Sequence, residues 1–221
     1  VEMSGANAVY TPTENYNGSD SFVFMVSDGI ESDTATANIT INAINDAPIL
    51  ATISDITFDE DGSPDAIVLS ATDVDTDDTQ SFSISEGTDI TESLSGSDLT
   101  FSAPTDYNGS ENFTVTVTDS GGLSDSQIIT ITVNAVNDAP IAQTGLSGTG
   151  DEGQSISVLL SGSDVDGDVL TYTISEQSLN GTVEMSGANA VYTPTENYNG
   201  SDSFVFMVSD GIESDTATAN I

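Results

Sequence analysis

The chain has 221 residues, with 37 Asp and Glu side chains and no Lys, Arg or His, so its formal net charge is −37. No salt bridge can form between side chains, and nothing can neutralise nucleic-acid phosphates, which excludes nucleic-acid binding. The absence of cysteine excludes disulfide bonds and thiolate sites, and no apolar run is long enough to insert into a membrane.

This acidity has two ordinary explanations, a solvated acidic surface and an acidic disordered segment. Disorder fits poorly, because 36% of the residues are hydrophobic and these residues alternate in many short runs. A solvated surface explains part of the charge but not the fixed spacing of the carboxylates described below. Since like charges on a compact body repel, and carboxylates prefer hard divalent cations, Ca²⁺ is an expected partner.

The sequence contains a repeat within a repeat. Residues 1–39 recur unchanged as residues 183–221, an offset of 182 residues. The motif Asn45-Asp46-Ala47-Pro48 recurs as Asn137-Asp138-Ala139-Pro140, at about half that offset. The pattern predicts three domains of two alternating types: residues 1–44 form the C-terminal half of a repeat, residues 45–136 a complete repeat, and residues 137–221 a repeat lacking its last strand.

The predicted elements are all β-strands. Residues 21–26, 112–117 and 128–133 alternate with period two and are rich in Val, Ile, Thr and Phe. Roughly seven short strands in a repeat, with turns about every ten residues, are typical of an immunoglobulin-like sandwich. The sequence therefore predicts an all-β fold of tandem immunoglobulin- or cadherin-like sandwiches arranged end to end. The turn signals that separate the strands are Asn17-Gly18, Asp28-Gly29, Asp61-Gly62, Asn108-Gly109, Gly121-Gly122, Asp166-Gly167 and Asn199-Gly200.

Five polar features recur at matching places in the repeats. The first two are the linkers at residues 42–48 and 134–140 and the acidic turns at residues 59–62 and 151–153. The third is an Asp-x-Asp motif, Asp73 and Asp75 in one repeat and Asp164, Asp166 and Asp168 in the next. The last two are a turn at residues 104–109 that is one residue longer at residues 194–200, and an Asp that closes the penultimate strand at Asp28, Asp119 and Asp210.

In these features the chain resembles the cadherin-like tandem repeats of large bacterial surface adhesins, along its whole length. The most specific marker is Asn-Asp-x-Pro combined with Asp-x-Asp and the late Asp. The resemblance implies Ca²⁺ between consecutive domains, held by the linker, by the following domain and by a Glu of the preceding domain. Carried over by position, the implied ligands are Asn45, Asp46, Asp73, Asp75 and Asp119 at the first junction, Glu60, Asn137, Asp138, Asp164, Asp166 and Asp210 at the second, and Glu152 at a third.

The chemistry of these residue types agrees with this set, because Ca²⁺ takes six to eight oxygen ligands in a flexible shell. Asp and Asn also bond their own backbone in turns, however, so the late Asp residues taken alone fit either role. The Asp-Arg-Glu motif of animal cadherins is missing. Asp106 or Glu196 lies near that position, and the number of ions per junction stays open.

The leading functional hypothesis is structural. A linear array of sandwiches makes a spacer or fibre, and Ca²⁺ at the junctions would rigidify it as an extracellular adhesin stalk, biofilm matrix or surface filament. Its partners would be neighbouring repeats, with self-assembly into a fibre. Since the pattern begins and ends inside a repeat, the chain is expected to be one segment of such a fibre, whose incomplete ends strands of neighbouring chains could complete.

Two other classes of function compete with this hypothesis. A ligand- or carbohydrate-binding module could use the loops at the ends of a sandwich, although the absence of Trp counts against sugar binding. An enzyme is not expected, because without His, Lys, Arg or Cys most acid–base and nucleophilic schemes are unavailable. The carboxylates also recur with the repeat rather than gathering in one cleft.

Overall fold

The computed structural model describes every residue from Val1 to Ile221 and contains strands, turns and loops without a helix. The all-β prediction is therefore confirmed. The chain separates into two compact units: unit 1 comprises residues 1–57, 63–103 and 110–132, and unit 2 comprises residues 58–62, 104–109 and 133–221. No helix exists that could cross a membrane.

Unit 1 holds two separate hairpins, β1–β2 and β3–β4, and the sheets that follow them in the chain. Those sheets have the strand orders β10-β11-β7, β6-β13-β12-β9 and β5-β8. The strands are β1 (Glu2–Ser4), β2 (Asn7–Val9), β3 (Gly18–Ser27), β4 (Ser32–Ile41), β5 (Ile49–Leu50), β6 (Ile56–Asp59), β7 (Ile67–Val68), β8 (Ala71–Thr72), β9 (Ser81–Ile84), β10 (Thr91–Ser95), β11 (Asp98–Ser102), β12 (Gly109–Thr118) and β13 (Ser124–Asn134).

The core of unit 1 follows from strict alternation along its long strands. In β12, Phe113, Val115 and Val117 are fully buried, while the Thr residues between them face outward. The ring of Phe101 on β11 meets that of Phe113 edge to face, with centroids 5.1 Å apart. Because β11 and β12 belong to different sheets, this contact packs one sheet against the other, as a sandwich requires.

Unit 2 is built from three sheets, with the strand orders β15-β19-β18, β17-β20-β21 and β14-β16. Its buried cluster contains Tyr192, Phe204, Phe206 and Val208, each no more than 1% exposed. The strands are β14 (Ile141–Ala142), β15 (Ile156–Leu159), β16 (Gly162–Ser163), β17 (Thr171–Glu176), β18 (Gly181–Ser186), β19 (Asn189–Pro194), β20 (Ser203–Ser209) and β21 (Ser214–Asn220).

One acidic side chain fixes the loop in front of a core strand in each unit. Glu111 accepts backbone N–H bonds from Thr88 and Asp89, both 2.8 Å long, and Asp202 accepts one from Asn180 at 2.9 Å. Burial would raise the pKa of both carboxyl groups, but these hydrogen bonds outweigh it and hold each pKa below its ordinary value. These two carboxylates are satisfied by the protein itself.

The unchanged repeat places one sequence in two environments. Phe206 on β20 is fully buried, whereas its counterpart Phe24 on β3 is 45% exposed. Strand β20 pairs with both β17 and β21, whereas β3 pairs only with β4. Because the two segments are identical, the difference in burial does not come from their own residues: β17 packs beside β20, and residues 1–44 contain no strand equivalent to β17.

The same substitution can therefore be compared in a buried and in a half-exposed environment. We expect Phe206→Ala to lower the free energy of unfolding of unit 2 by about 3–5 kcal/mol, because it leaves a cavity in a closed core. The identical change Phe24→Ala should cost unit 1 less than half as much, since that ring is already half in water. Urea unfolding followed by circular dichroism measures both. Equal losses would contradict the assigned burial.

Candidate metal centres

A chain of hydrogen bonds joins the five residues predicted for the first junction, all of them in unit 1. The Asn45 amide donates to Asp119 Oδ2 at 2.9 Å. The Asp46 N–H donates to Asp75 Oδ2 at 2.8 Å, and the Asp75 N–H donates to Asp73 Oδ1 at 2.9 Å. The linker is thereby tied both to the Asp-x-Asp turn and to the end of β12.

Asp119 is the buried end of this chain, with 6% of its surface exposed. Burial would raise its pKa, but hydrogen bonds from the Asn45 amide and from the N–H groups of the following turn, Leu123 first among them, hold the pKa below its ordinary value. Gly121 allows the approach, since a Cβ at this residue would lie 2.3 Å from the Asn45 Oδ1 atom. Asp119 is therefore charged and oriented by the linker.

A group of three carboxylates lies beside this chain. Oxygens of Asp73, Asp78 and Asp119 lie within 4.8 Å of one another. Asp73 Oδ2 and Asp78 Oδ2 are buried and have no hydrogen-bond partner. Bringing anionic oxygens together in this way is costly unless a cation accompanies them. Asp78 was not among the predicted ligands.

Unit 2 repeats the same arrangement around Asn137. Its amide donates to Asp210 Oδ2 at 2.9 Å, and the Asp138 N–H donates to Asp166 Oδ2 at 2.8 Å. The Asn137 amide and the turn N–H groups of Ile212 and Glu213 hold the pKa of Asp210 below its ordinary value. Four of the residues predicted for the second junction are thus linked by the same contacts as their counterparts in unit 1.

Glu60 joins this second group from the acidic turn after β6. It is 4% exposed, and its Oε1 accepts the Val136 N–H at 2.5 Å. Its Oε2 is buried without a hydrogen-bond partner. Glu60 also belongs to a trio with Asp138 and Asp166, one oxygen of each lying within 4.8 Å of the others. The predicted Glu is therefore next to the predicted Asp residues of the linker and of the Asp-x-Asp turn.

Two further trios extend the group in unit 2. One consists of Asp61, Asp106 and Asp138, and the other of Asp164, Asp166 and Asp168. Burial, followed by repulsion from Asp106, Asp166, Asp61 and Glu60 in that order, raises the pKa of Asp138. The raised pKa means that burial and the neighbouring carboxylates destabilise the charged form of Asp138.

The structure thus brings all eleven predicted residues into two groups, which we call the Asn45 site and the Asn137 site. The sequence-based set omitted Asp61, Asp78 and Asp168, and left Asp106 only as a loose candidate. Asp78 and Asp168 each lie three residues before a strand, β9 or β17, and aligning those strands would have found them. Asp28 accepts the N–H groups of Ile30 and Glu31 at 2.8 Å, just as Asp210 accepts those of Ile212 and Glu213, but Asp28 belongs to neither site and acts as a turn-forming residue.

The clefts at the two sites are lined by similar residues. A cleft of about 400 Å³ in unit 2 is lined by Asp106, Asn108, Ala135, Val136, Asn137, Val165, Asp166 and Asp168. A cleft of about 370 Å³ in unit 1 is lined by Asn17, Ala43, Asn45, Val74, Asp75, Thr76, Asp77 and Asp78. Neither contains an aromatic ring or a positive charge, so the donor set suits a hard cation.

Comparison with known proteins agrees with the fold. A family model described as "Bacterial Ig domain" matches residues 1–42, 45–132 and 137–221. "Integrin beta-like protein C" of Dictyostelium discoideum is 35% identical over 139 residues, which is 60% of this chain, and the match spans 6% of that protein's length.

Among solved structures, protocadherin gamma B2 extracellular cadherin domains 1–5 match with a TM-score of 0.62 at 19% identity, covering 92% of this chain and 45% of that chain. Protocadherin gamma C5 EC1–3 matches with a TM-score of 0.57 at 14% identity, covering 91% of this chain and 76% of that chain. The prediction of tandem cadherin-like, immunoglobulin-like sandwiches is therefore confirmed.

The close approach at Gly121 can be tested by a double-mutant cycle in the presence of a chelator. We expect Gly121→Ala and Asn45→Ala each to lower the free energy of unfolding of unit 1 by about 1–3 kcal/mol, because each leaves the buried Asp119 carboxylate without its amide donor. The double variant should lose no more than the larger single loss. Additive losses in urea unfolding would show that Gly121 does not act through Asn45.

Proposed function

The chain belongs to the bacterial Ig domain family, and from this we propose that it is a structural segment of an extracellular adhesin stalk or filament whose repeat junctions are rigidified by Ca²⁺. The observation that carries the proposal concerns buried oxygens. Five buried carboxylate oxygens have no hydrogen-bond partner, and all five belong to the Asn45 and Asn137 sites: those of Glu60, Asp73, Asp78, Asp138 and Asp164.

The cation has to come from solution, because the chain has no Lys, Arg or His. Carboxylates that stay charged in a buried place need a counter-charge, and hard oxygen ligands select Ca²⁺ or Mg²⁺ over softer metals. Ca²⁺ is favoured because it accepts six to eight oxygens in an irregular shell, whereas Mg²⁺ demands near-octahedral geometry and keeps its waters. Loops with several carboxylates and an amide suit the larger ion.

We assign the ligand roles to the eleven predicted residues together with Asp78 and Asp168. At the Asn45 site the ligands are Asn45, Asp46, Asp73, Asp75, Asp78 and Asp119. At the Asn137 site they are Glu60, Asn137, Asp138, Asp164, Asp166, Asp168 and Asp210.

The domain boundaries at residues 44 and 136 belong to the same proposal. They fall at the breaks between the three family matches, which leave residues 43–44 and 133–136 unmatched. Both sites include the residues that follow these breaks, Asn45-Asp46 and Asn137-Asp138. A cation held there would bind the linker to the body of the following repeat, and through Glu60 to the preceding one.

A mechanical role follows from this placement. Without Ca²⁺, repulsion among the carboxylates loosens the linker, and with Ca²⁺ the same charges hold it. The partners on this view are neighbouring repeats of the same protein, assembled into a fibre outside the cell. The acidic lining of the clefts favours a cation over a carbohydrate, and the repeated position of the carboxylates favours a structural role over catalysis.

The first test is thermal unfolding of the full chain with Ca²⁺ and with a chelator. Each site that binds only the folded state adds about 2.7 kcal/mol of stability at a Ca²⁺ concentration 100 times the dissociation constant. We expect a higher melting temperature in Ca²⁺, accompanied by a longer maximum dimension in small-angle scattering. Unchanged values of both quantities would refute the proposal.

A sharper test uses Glu60→Gln, which removes one buried charge but keeps an oxygen for the Val136 N–H. In chelator this variant should melt at a higher temperature than the parent, because it relieves repulsion with Asp138 and Asp166. In Ca²⁺ it should melt at a lower temperature, because a charged ligand is gone. Glu184→Gln on the exposed face of β18 is the control. An effect of the same sign in both conditions would exclude Glu60 as a ligand.

A further inference from the structure

The first strand of the repeat at residues 45–136 crosses from one sheet to another. Its first part, β5, pairs with β8, and its second part, β6, pairs with β13. Between these two parts, the side chain of Gln127 on β13 bonds the crossing backbone. The Gln127 Oε1 atom accepts the Ile53 N–H at 3.1 Å, and the Gln127 Nε2 atom donates to Ile53 O. One amide therefore supplies both hydrogen bonds that a neighbouring strand would give to Ile53.

Two more side-chain contacts tie this first strand to β13, one on either side of the Gln127 contact. Asp125 Oδ2 accepts the Leu50 N–H at 2.9 Å, and Asp55 Oδ1 accepts the Thr130 N–H at 2.8 Å. Along both strands the bonded positions rise together. The two strands therefore run in the same direction where they meet.

The direction of these strands decides how a pull acts on them. The linker at residues 42–48 leads into the first strand, and β13 leads into the linker at residues 134–140. A pull on the two linkers draws the first strand toward its N-terminal end and β13 toward its C-terminal end. In a parallel pair these pulls slide one strand along the other and load all the bonds between them at once. The contacts of Gln127 and Asp55 therefore lie on the load path.

One contact of this kind recurs in unit 2 and shows how the two repeat types align. The Ala142 N–H donates to Asp215 Oδ2 at 2.9 Å, as the Leu50 N–H does to Asp125 Oδ2. The first and last strands of unit 2 also run in the same direction, since Ser147 forms a parallel bridge with Asn220. Both repeat types therefore place the same two strands under the same kind of load.

The residues that bond the crossing segment differ between the two types. Ala217 takes the position of Gln127, and Ser147 takes that of Asp55. The methyl group of Ala217 cannot hydrogen-bond a backbone. The identical segment at residues 1–39 carries the same residue, Ala35, so the lack of the amide belongs to this repeat type.

We propose that Gln127 and Asp55 form a mechanical clamp, which strengthens the repeat at residues 45–136 against load and which the alternate repeat type lacks. The proposal rests on the proposed function only in that the chain carries load, and it needs no cation. In an array with the 182-residue period, stronger and weaker repeats would alternate. Under rising tension the weaker repeats would unfold and lengthen the stalk, while the clamped repeats stay folded.

The test loads the clamped repeat alone, within the full chain. The chain has no cysteine, so Ile44→Cys and Val136→Cys, at exposed linker positions, give two unique attachment points for DNA handles in optical tweezers. The unfolding rate is measured at a fixed force. A chelator is present throughout, so that cation binding does not contribute to the result.

Each test variant introduces the residue that the alternate repeat type carries, and that type is folded, so both variants should fold. We expect Gln127→Ala and Asp55→Ser each to raise the unfolding rate roughly three- to tenfold, because each removes one or two hydrogen bonds from the load path. The control Ile128→Thr lies on β13 with its side chain 66% exposed. It should leave the rate unchanged.

The outcomes separate this inference from the proposed function. An increase in Gln127→Ala and Asp55→Ser without one in Ile128→Thr supports the clamp. Unchanged rates in both test variants overturn it, even if Ca²⁺ raises the melting temperature of the parent chain. An equal increase in Ile128→Thr also overturns it, because the effect would then be a general loss of stability. Conversely, a chain that ignores Ca²⁺ can still show the clamp.

Discussion

Because the chain has no Lys, Arg or His, none of its carboxylates can form a salt bridge with another side chain. A carboxylate in most proteins can pair with a Lys or Arg, but the 37 carboxylates here have only N–H groups, hydroxyls, water and dissolved cations. Glu111 and Asp202 are satisfied by the protein itself, because backbone N–H groups of nearby loops donate hydrogen bonds to their carboxylates. Glu60 and Asp138 keep buried oxygens that no donor reaches. The division between these two kinds of carboxylate separates structural acids from candidate ligands.

At each site, the side-chain amide of the linker Asn donates a hydrogen bond to one of the candidate ligands. Asn45 and Asn137 each donate to the late Asp of their repeat, at 2.9 Å in both cases, and so fix where the linker begins relative to the Asp-x-Asp turn. These contacts are made by protein groups alone, because an amide can satisfy a buried carboxylate. Such contacts would leave fewer groups for a bound cation to order.

The sequence predicted much of this and missed the rest for identifiable physical reasons. Long strands such as β12 were predictable because their alternation is strict, whereas β7 and β8 have two residues each and show no period. The linker and Asp-x-Asp residues were predictable because they recur as motifs. Asp61 was missed and Asp106 was only a loose candidate, because their turns differ in length or residue type between repeats and the sequence of an Asp does not reveal a positive φ.

Burial was the property that local sequence predicted least. Residues 1–39 and 183–221 are identical, yet Val26 is 66% exposed while Val208 is fully buried. Neither sequence contains the difference, because the β17 strand that covers β20 lies outside both segments. Alternation along a strand therefore predicts only which face of the strand can be buried. Whether that face is buried depends on the strands that pair with it from elsewhere in the chain.

The exchange of Asp for Asn at one turn shows how a constant fold can carry different chemistry. Both residues tolerate a positive φ better than other non-glycine residues, so the backbone at Asp106 and at Asn15 is the same. Their side chains also have nearly the same shape, and the exchange alters only one oxygen and one unit of charge. The turn is therefore a position where the charge can change while the backbone conformation stays the same, so nearly identical repeats can differ in charge at one place without a change of fold.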